Sequence, residues 1–241
     1  MKYLILGLGF IFLMTIIGGL PILFMNKKTY KSNTLMSLSA GIMLAASFFS
    51  LILPSIEKSK ELNMGFLPPV LGFSLGFLFL LVCDYLLGLK NKKISKAKKL
   101  FYAMTIHNIP EGFSVGIAIA FAINSGEIEF VWEALMLAFA IGIQNLPEGL
   151  AVAIPLKLEN NSKWKCYFYT IISAIVEPIS GIIAFLLFNV SNLILPFALS
   201  FGAGAMIYAI IKEILPNIEK NSDALFFMIG FLIMMILDTI F

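Results

Sequence analysis

The sequence predicts an all-α, polytopic membrane protein with eight transmembrane helices, and two observations carry that reading. Sixty per cent of the 241 residues are hydrophobic and only 13% are charged, about half of the roughly 25% charged share that covers the surface of a soluble domain. Apolar runs also recur along the whole chain at about the 20-residue length that a helix needs to cross a hydrocarbon core. No stretch is left over for a water-soluble unit, so residues 1–241 read as a single transmembrane domain.

The first run, 3–25, follows Lys2 and contains Gly18-Gly19-Leu20-Pro21. It is long and lacks a small-x-small cleavage site, so it reads as a span and not as a signal peptide. Polar breaks place the other spans near 34–56, 65–89, 100–123, 132–156, 165–188, 193–214 and 223–241. Cys83 falls inside an apolar run and Cys166 at the edge of one; nothing suggests a disulfide or thiolate site, and free cysteines commonly behave as small buried hydrophobes.

Eight spans put both termini on one side. The loops near 26–33, 90–99, 157–164 and 212–222, together with Lys165, collect fourteen of the 17 basic residues, all lysines, including the run Lys90, Lys92, Lys93, Lys96, Lys98 and Lys99. The opposite side has Lys2, Lys58 and Lys60, with Glu127, Glu129 and Glu133 beside them. The positive-inside rule then places both termini on the extracellular or periplasmic face of the cell's inner (plasma) membrane. The net charge of +3 is spent on this asymmetry, which removes the case for nucleic acid as a partner.

The halves echo one another. Gly41-Ile-Met43 with Leu53-Pro54-Ser-Ile-Glu57 answers Gly204-Ala-Met206 with Leu215-Pro216-Asn-Ile-Glu219, allowing a one-residue offset. Gly76-Phe77-Leu78 with Asp84 answers Gly230-Phe231-Leu232 with Asp238 at the same spacing. The second and seventh spans run in opposite directions, so the expectation is an inverted repeat that relates spans one to three to spans six to eight around a central pair, four and five.

That central pair holds the chemistry. The fourth span reads His107-Asn108-Ile109-Pro110-Glu111-Gly112, and 37 residues later the fifth reads Gln144-Asn145-Leu146-Pro147-Glu148-Gly149. His107 and Glu111, like Gln144 and Glu148, stand four residues apart and so share a helix face; Asn108 and Asn145 sit one residue round from it. Pro110 and Pro147 lack the amides that would bond Ile106 and Ile143, which predicts kinks and free carbonyls at membrane depth. In the sixth span Glu177 precedes Pro178, a third acid near mid-span. A carboxylate in the bilayer costs at least a few kcal/mol, so an intramembrane acid is by default functional. No lysine lies in register with Glu111, Glu148 and Glu177. Three such acids beside the only histidine of the chain predict a cation site.

These motifs, with Ser39-Ala-Gly-Ile-Met-Leu-Ala-Ala-Ser, Val176-Glu177-Pro178 and Gly202-Ala-Gly-Ala-Met-Ile-Tyr208, make the chain similar to the ZIP family of metal transporters in its bacterial GufA-like branch. The resemblance implies uptake of divalent metal ions, Zn²⁺ above all and sometimes Fe²⁺, Mn²⁺ or Cd²⁺, and often a homodimer. It also implies a two-metal centre: His107, Glu111, Gln144 and Glu148 hold one ion, and Asn108, Glu111, Asn145, Glu148 and Glu177 the other. The metal is cargo, and no resident cofactor is expected. Two features depart from the pattern: many members have histidine at the position of Gln144, and many have histidines where the 90–99 loop has lysines. An intramembrane metallohydrolase is the enzyme rival, and it fails for want of a second histidine for a His-Glu-x-x-His site. A proton or cation channel or exchanger built on the same acids is the other alternative.

Overall fold

A computed structural model describes residues 1–25, 32–90, 95–188, 194–218 and 220–240. Lys27, Lys28 and Lys31 of the first lysine-rich loop, Lys92 and Lys93 of the second, and Glu219 of the sequence echo lie outside them. Eight helices are long and apolar enough to cross a membrane.

The first span is α1 (Lys2–Gly19), extended by a 3-10 turn at Leu20–Leu23. The second is composite: α2 (Ser32–Ala46), a π-helical stretch at Ser47–Ile52, then α3 (Leu53–Glu61). The third, fourth, fifth and sixth are α4 (Leu67–Lys90), α5 (Lys96–Ser125), α6 (Ile128–Leu158) and α7 (Lys163–Phe188). The seventh is α8 (Leu195–Ala209) followed by a second π-helical stretch, Ile210–Ile214, and a 3-10 turn, Leu215–Asn217; the eighth is α9 (Asn221–Ile240).

α5 starts on Ser95, whose hydroxyl accepts from the Lys98 amide, and ends at Gly126, whose φ of 75° breaks the helix in the left-handed region open to glycine. α6 begins two residues later, so the two form a tight antiparallel hairpin. Glu159, just past α6, closes it at the other end by accepting from the Ser95 hydroxyl at 2.7 Å and the Ala97 amide at 3.2 Å. Both helices run unbroken through Pro110 and Pro147. The two π-helical stretches lie instead in the second and seventh spans.

Two bundles result. α1, α5, α6 and α7 pack on one another; α2 with α3, α4, α8 and α9 form the second group; α2 against α6 and α5 against α8 join the two. The α6 span is the most enclosed, 83% of its apolar window being buried, whereas α9 at 17% faces outward to lipid. Cys166 is buried, and Cys83 only partly so.

The closest pairs are α1 with α6, α7 with α5, α2 with α9 and α8 with α4. Exchanging spans one, two, three and four with six, seven, eight and five maps this set onto itself. Individual glycines follow the same exchange. A methyl group on Gly41 would run into the Phe227 carbonyl, and one on Gly204 into that of Phe73; Gly76 meets Phe201 and Gly230 meets Leu38 in the same way. Such small residues let membrane helices approach backbone to backbone. Asp84 of α4 accepts from the Tyr208 hydroxyl at 3.1 Å and lies 3.6 Å from Lys212 in the seventh span, while Asp238 of α9 accepts from Ser50 in the second at 2.8 Å. The π-helical stretches also correspond. The one in the second span is a residue longer, and each ends directly before the Leu-Pro pair of the sequence echo, Leu53-Pro54 and Leu215-Pro216. We propose the inverted repeat on this set of paired contacts.

Candidate metal centre

The hairpin register decides what meets what. With α5 and α6 antiparallel about Gly126 and Glu127, Glu111 stands across from Gln144 and His107 across from Glu148. Gln144 Nε2 donates to Glu111 Oε1 at 2.7 Å. His107 Nε2 lies 3.1 Å from the same Glu111 oxygen, four residues along α5, without the alignment of a hydrogen bond. One ligand atom from each of His107, Glu111 and Glu148 falls within 4.8 Å of the others. Pairs four residues apart on facing helices thus converge on one point near mid-span.

α7 brings the third acid. Its backbone crosses α5 at Gly112, where a Cβ would strike the Glu177 carbonyl. This close approach lets Asn108 Nδ2 donate to Glu177 Oε1 at 3.2 Å and to the Ser173 carbonyl at 3.0 Å. Glu177 lies close to both Glu111 and Glu148, and the Asn145 amide faces it from α6. All seven residues singled out in the sequence are buried, each no more than 2% exposed, and the contacts above link His107, Glu111, Gln144 and Glu148 and Asn108 with Glu177.

Three further side chains belong to this shell. Thr15 of α1 donates to Glu177 Oε1 at 2.8 Å, Ser39 of α2 reaches Glu148 Oε1 at 3.5 Å, and Ser173 supports Asn108. Sequence reasoning passed over all three. The available signal was Thr15 as a lone hydroxyl in mid-run, and Ser39 opening a motif noted only for its resemblance.

Several buried acceptors face no donor: Asn108 Oδ1, Glu111 Oε2, Gln144 Oε1, Asn145 Oδ1 and Glu177 Oε2. Unsatisfied buried polar atoms are few in folded proteins and each needs a reason. The His107 nitrogens and Asn145 Nδ2 are likewise without a partner, so every one of the seven residues except Glu148 contributes such an atom. Oxygen and imidazole donors without an ammonium or guanidinium among them are what a divalent ion requires.

Apolar side chains close the pocket along the helix axes. Toward the lysine-poor end Met43, Leu51, Val115 and Ile141 are fully buried. Toward the lysine-rich end a separate cluster holds Ile22, Phe101, Met104, Ile154 and Leu156.

A family model described as ZIP zinc transporter matches residues 97–238. The chain is similar to the zinc transporter GufA of Myxococcus xanthus, at 30% identity with 92% of each chain covered. It is also similar to the zinc transporter ZIPB of Bordetella bronchiseptica, 29% identical over 98% of this chain and 81% of that one. Zinc transporter ZIP11 of Xenopus tropicalis is 29% identical over 83% of this chain and 85% of its own. The matched stretch contains every one of the seven residues singled out above, and the bacterial relatives align over nearly the whole length. The chain belongs to the ZIP zinc transporter family.

Proposed function

We propose that the chain takes up divalent transition-metal ions, zinc foremost, with Fe²⁺, Mn²⁺ and Cd²⁺ as lesser substrates, through the pocket between α5, α6 and α7. The observation that carries this is the convergence of His107, Glu111 and Glu148, buried and with ligand atoms within 4.8 Å of one another. In this reading His107, Glu111, Gln144 and Glu148 hold one ion, and Asn108, Glu111, Asn145, Glu148 and Glu177 hold a second. One imidazole with carboxylate and amide oxygens and no thiolate suits Zn²⁺, Mn²⁺ or Fe²⁺ over Cu⁺.

Apolar plugs on both sides mean that an ion passes only if packing rearranges, so transport proceeds by alternating access, with one helix bundle moving against the other around the pocket. The lysine asymmetry supports both termini outside and entry from the lysine-poor end, in the cell's inner (plasma) membrane. A homodimer rests on family likeness alone, and cross-linking in membranes tests it.

The deciding experiment is uptake of radioactive Zn²⁺ into proteoliposomes with Mn²⁺, Fe²⁺ and Cd²⁺ as competitors, alongside metal analysis of the purified protein. Saturable uptake and bound metal are expected. A protein that binds no metal yet dissipates a proton gradient would instead be a channel or exchanger built on the same acids.

Gln144 tests the first ion's ligand set. Gln144→His should favour Zn²⁺ over Mn²⁺ by about tenfold in competition, because imidazole prefers the softer ion. An unchanged preference order would remove Gln144 from the coordination.

A further inference from the structure

α1 supplies none of the seven residues singled out in the sequence, yet it reaches the buried acid of α7. Its Thr15 is 2% exposed, and backbone crossings fix its place. A methyl group on Gly149 of α6 would strike the Thr15 carbonyl, one on Gly18 of α1 would strike that of Leu146, and one on Gly19 would meet the Thr170 side chain of α7. Thr15 therefore stands where α1, α6 and α7 come together. Its hydroxyl proton has two acceptors in reach, Glu177 Oε1 at 2.8 Å and the Ile11 carbonyl at 3.2 Å, and the shorter bond, to the carboxylate, is the stronger.

The two oxygens of Glu177 are consequently unlike. Oε1 accepts from Thr15 and also from Asn108 Nδ2 at 3.2 Å. The same nitrogen donates to the Ser173 carbonyl at 3.0 Å; a carbonyl can only accept, so the Asn108 amide is held with Oδ1 turned the other way. Both lone pairs of Oε1 are thus engaged. Oε2 has no partner, although Asn145 faces the carboxylate, and Asn108 Oδ1 has none either. A carboxylate held in this way gives an ion one oxygen, not two.

We propose that Thr15 is a positioning residue that sets metal selectivity: by occupying Oε1 together with Asn108, it restricts Glu177 to one-oxygen ligation through Oε2. This rests on the uptake reading above, with Glu177 as a ligand, and adds a residue from a span that contributes no ligand. The selectivity follows from coordination number. Zn²⁺ is satisfied by about four ligands, whereas Ca²⁺ takes about 6–8 oxygens and often both from one carboxylate. Removing the Thr15 donor frees a lone pair on Oε1, and the carboxylate can then turn both oxygens to the larger ion.

Equilibrium dialysis of the purified full-length protein against radioactive Zn²⁺, with Ca²⁺ as competitor, tests this without transport. Thr15→Val keeps the branched shape and removes the donor. It should lower the Ca²⁺ concentration that displaces half of the bound zinc by about tenfold, at the low end of the roughly 10–100-fold that a partner orienting a metal ligand is worth. Thr15→Ser, which keeps the donor, should restore most of the wild-type value. In a Glu177→Ala background Thr15→Val should change nothing further, because the hydroxyl acts through that carboxylate. Infrared difference spectra on Ca²⁺ addition give a second readout: the gap between the antisymmetric and symmetric carboxylate stretches is wide for one-oxygen ligation and narrow for two, and it should narrow in Thr15→Val. A calcium preference unmoved by Thr15→Val in a protein that binds and moves zinc overturns the role of Thr15 and leaves the uptake reading intact. So does an equal shift in the Glu177→Ala background, or Thr15→Ser behaving as Thr15→Val. Wild-type protein that binds no zinc overturns both.

Discussion

Glu111→Ala and Glu148→Ala should each abolish Zn²⁺ uptake, lowering it by more than about a hundredfold, while the protein remains inserted and folded. In the two-ion reading each carboxylate serves both ions, and in the structure the two meet in one group: Glu111 Oε1 lies 3.1 Å from His107 Nε2 and accepts from Gln144, and Glu148 joins them from the facing helix. Losing a partner that merely orients a metal ligand costs roughly 10–100-fold in affinity or activity, and losing a shared ligand should cost more. The structural penalty is smaller. Truncating Glu111 leaves the Gln144 amide with a donor unpaired, which costs about 1–3 kcal/mol, against helix crossings at Gly112 and Gly149 that do not involve either carboxylate. Glu111→Gln, which keeps the volume and an acceptor, separates charge from packing and should be as inactive as the alanine variant. The check is radioactive Zn²⁺ uptake, with circular dichroism and membrane insertion as controls. Wild-type uptake in either alanine variant would sink the site assignment.

Much of the architecture, and the convergence of His107, Glu111 and Glu148, could be read from the chain because membranes penalise the alternatives. Every span had to be a run of apolar residues, and every acid inside one had to answer for its cost, so Glu111, Glu148 and Glu177 stood out against their surroundings. The duplicated Asn-x-Pro-Glu-Gly pattern then fixed which faces of α5 and α6 would meet. The changes of helix type were harder to read: Pro110 and Pro147 lie inside α5 and α6, and the two π-helical stretches fall elsewhere, at Ser47–Ile52 and Ile210–Ile214. A π-helical stretch has no compositional mark. Thr15 and Ser39 were silent for a related reason: a hydroxyl can bond its own helix backbone, as Thr15 does to the Ile11 carbonyl at 3.2 Å, so it is cheap enough in a span to raise no suspicion. Lys58 was counted on the strength of its charge alone, and only its contacts with Phe130 and Glu61 distinguish it from Lys60 nearby.

Glu177→Ala should lower bound zinc from two ions per chain toward one, and transport should survive at a reduced rate. Charge alone does not choose between the two occupancies: one divalent ion against three ionised carboxylates leaves a single negative charge, and two ions leave a single positive one. The two-ion reading assigns the buried acceptors that lack a hydrogen-bond partner to both positions, Glu111 Oε2 and Gln144 Oε1 to the first, and Asn108 Oδ1, Asn145 Oδ1 and Glu177 Oε2 to a second that α7 completes. Leaving those acceptors bare in a buried pocket costs about 1–3 kcal/mol each, a penalty that a second ion would relieve. In that reading Glu177 serves only the second ion, so its loss should empty one position and spare the other. Thr15 and Asn108 would each lose the acceptor Glu177 Oε1, but Asn108 keeps the Ser173 carbonyl and Thr15 keeps that of Ile11, which predicts a protein that still folds. Ligands must shed their protons to bind metal, so Glu177→Ala should also release fewer protons per chain on zinc addition than wild type. Equilibrium metal counting with parallel proton titration in weak buffer measures both quantities. One ion in both proteins, or none in the variant, would reject two adjacent metal positions and leave Glu177 as a residue that holds the helices of a single site in register.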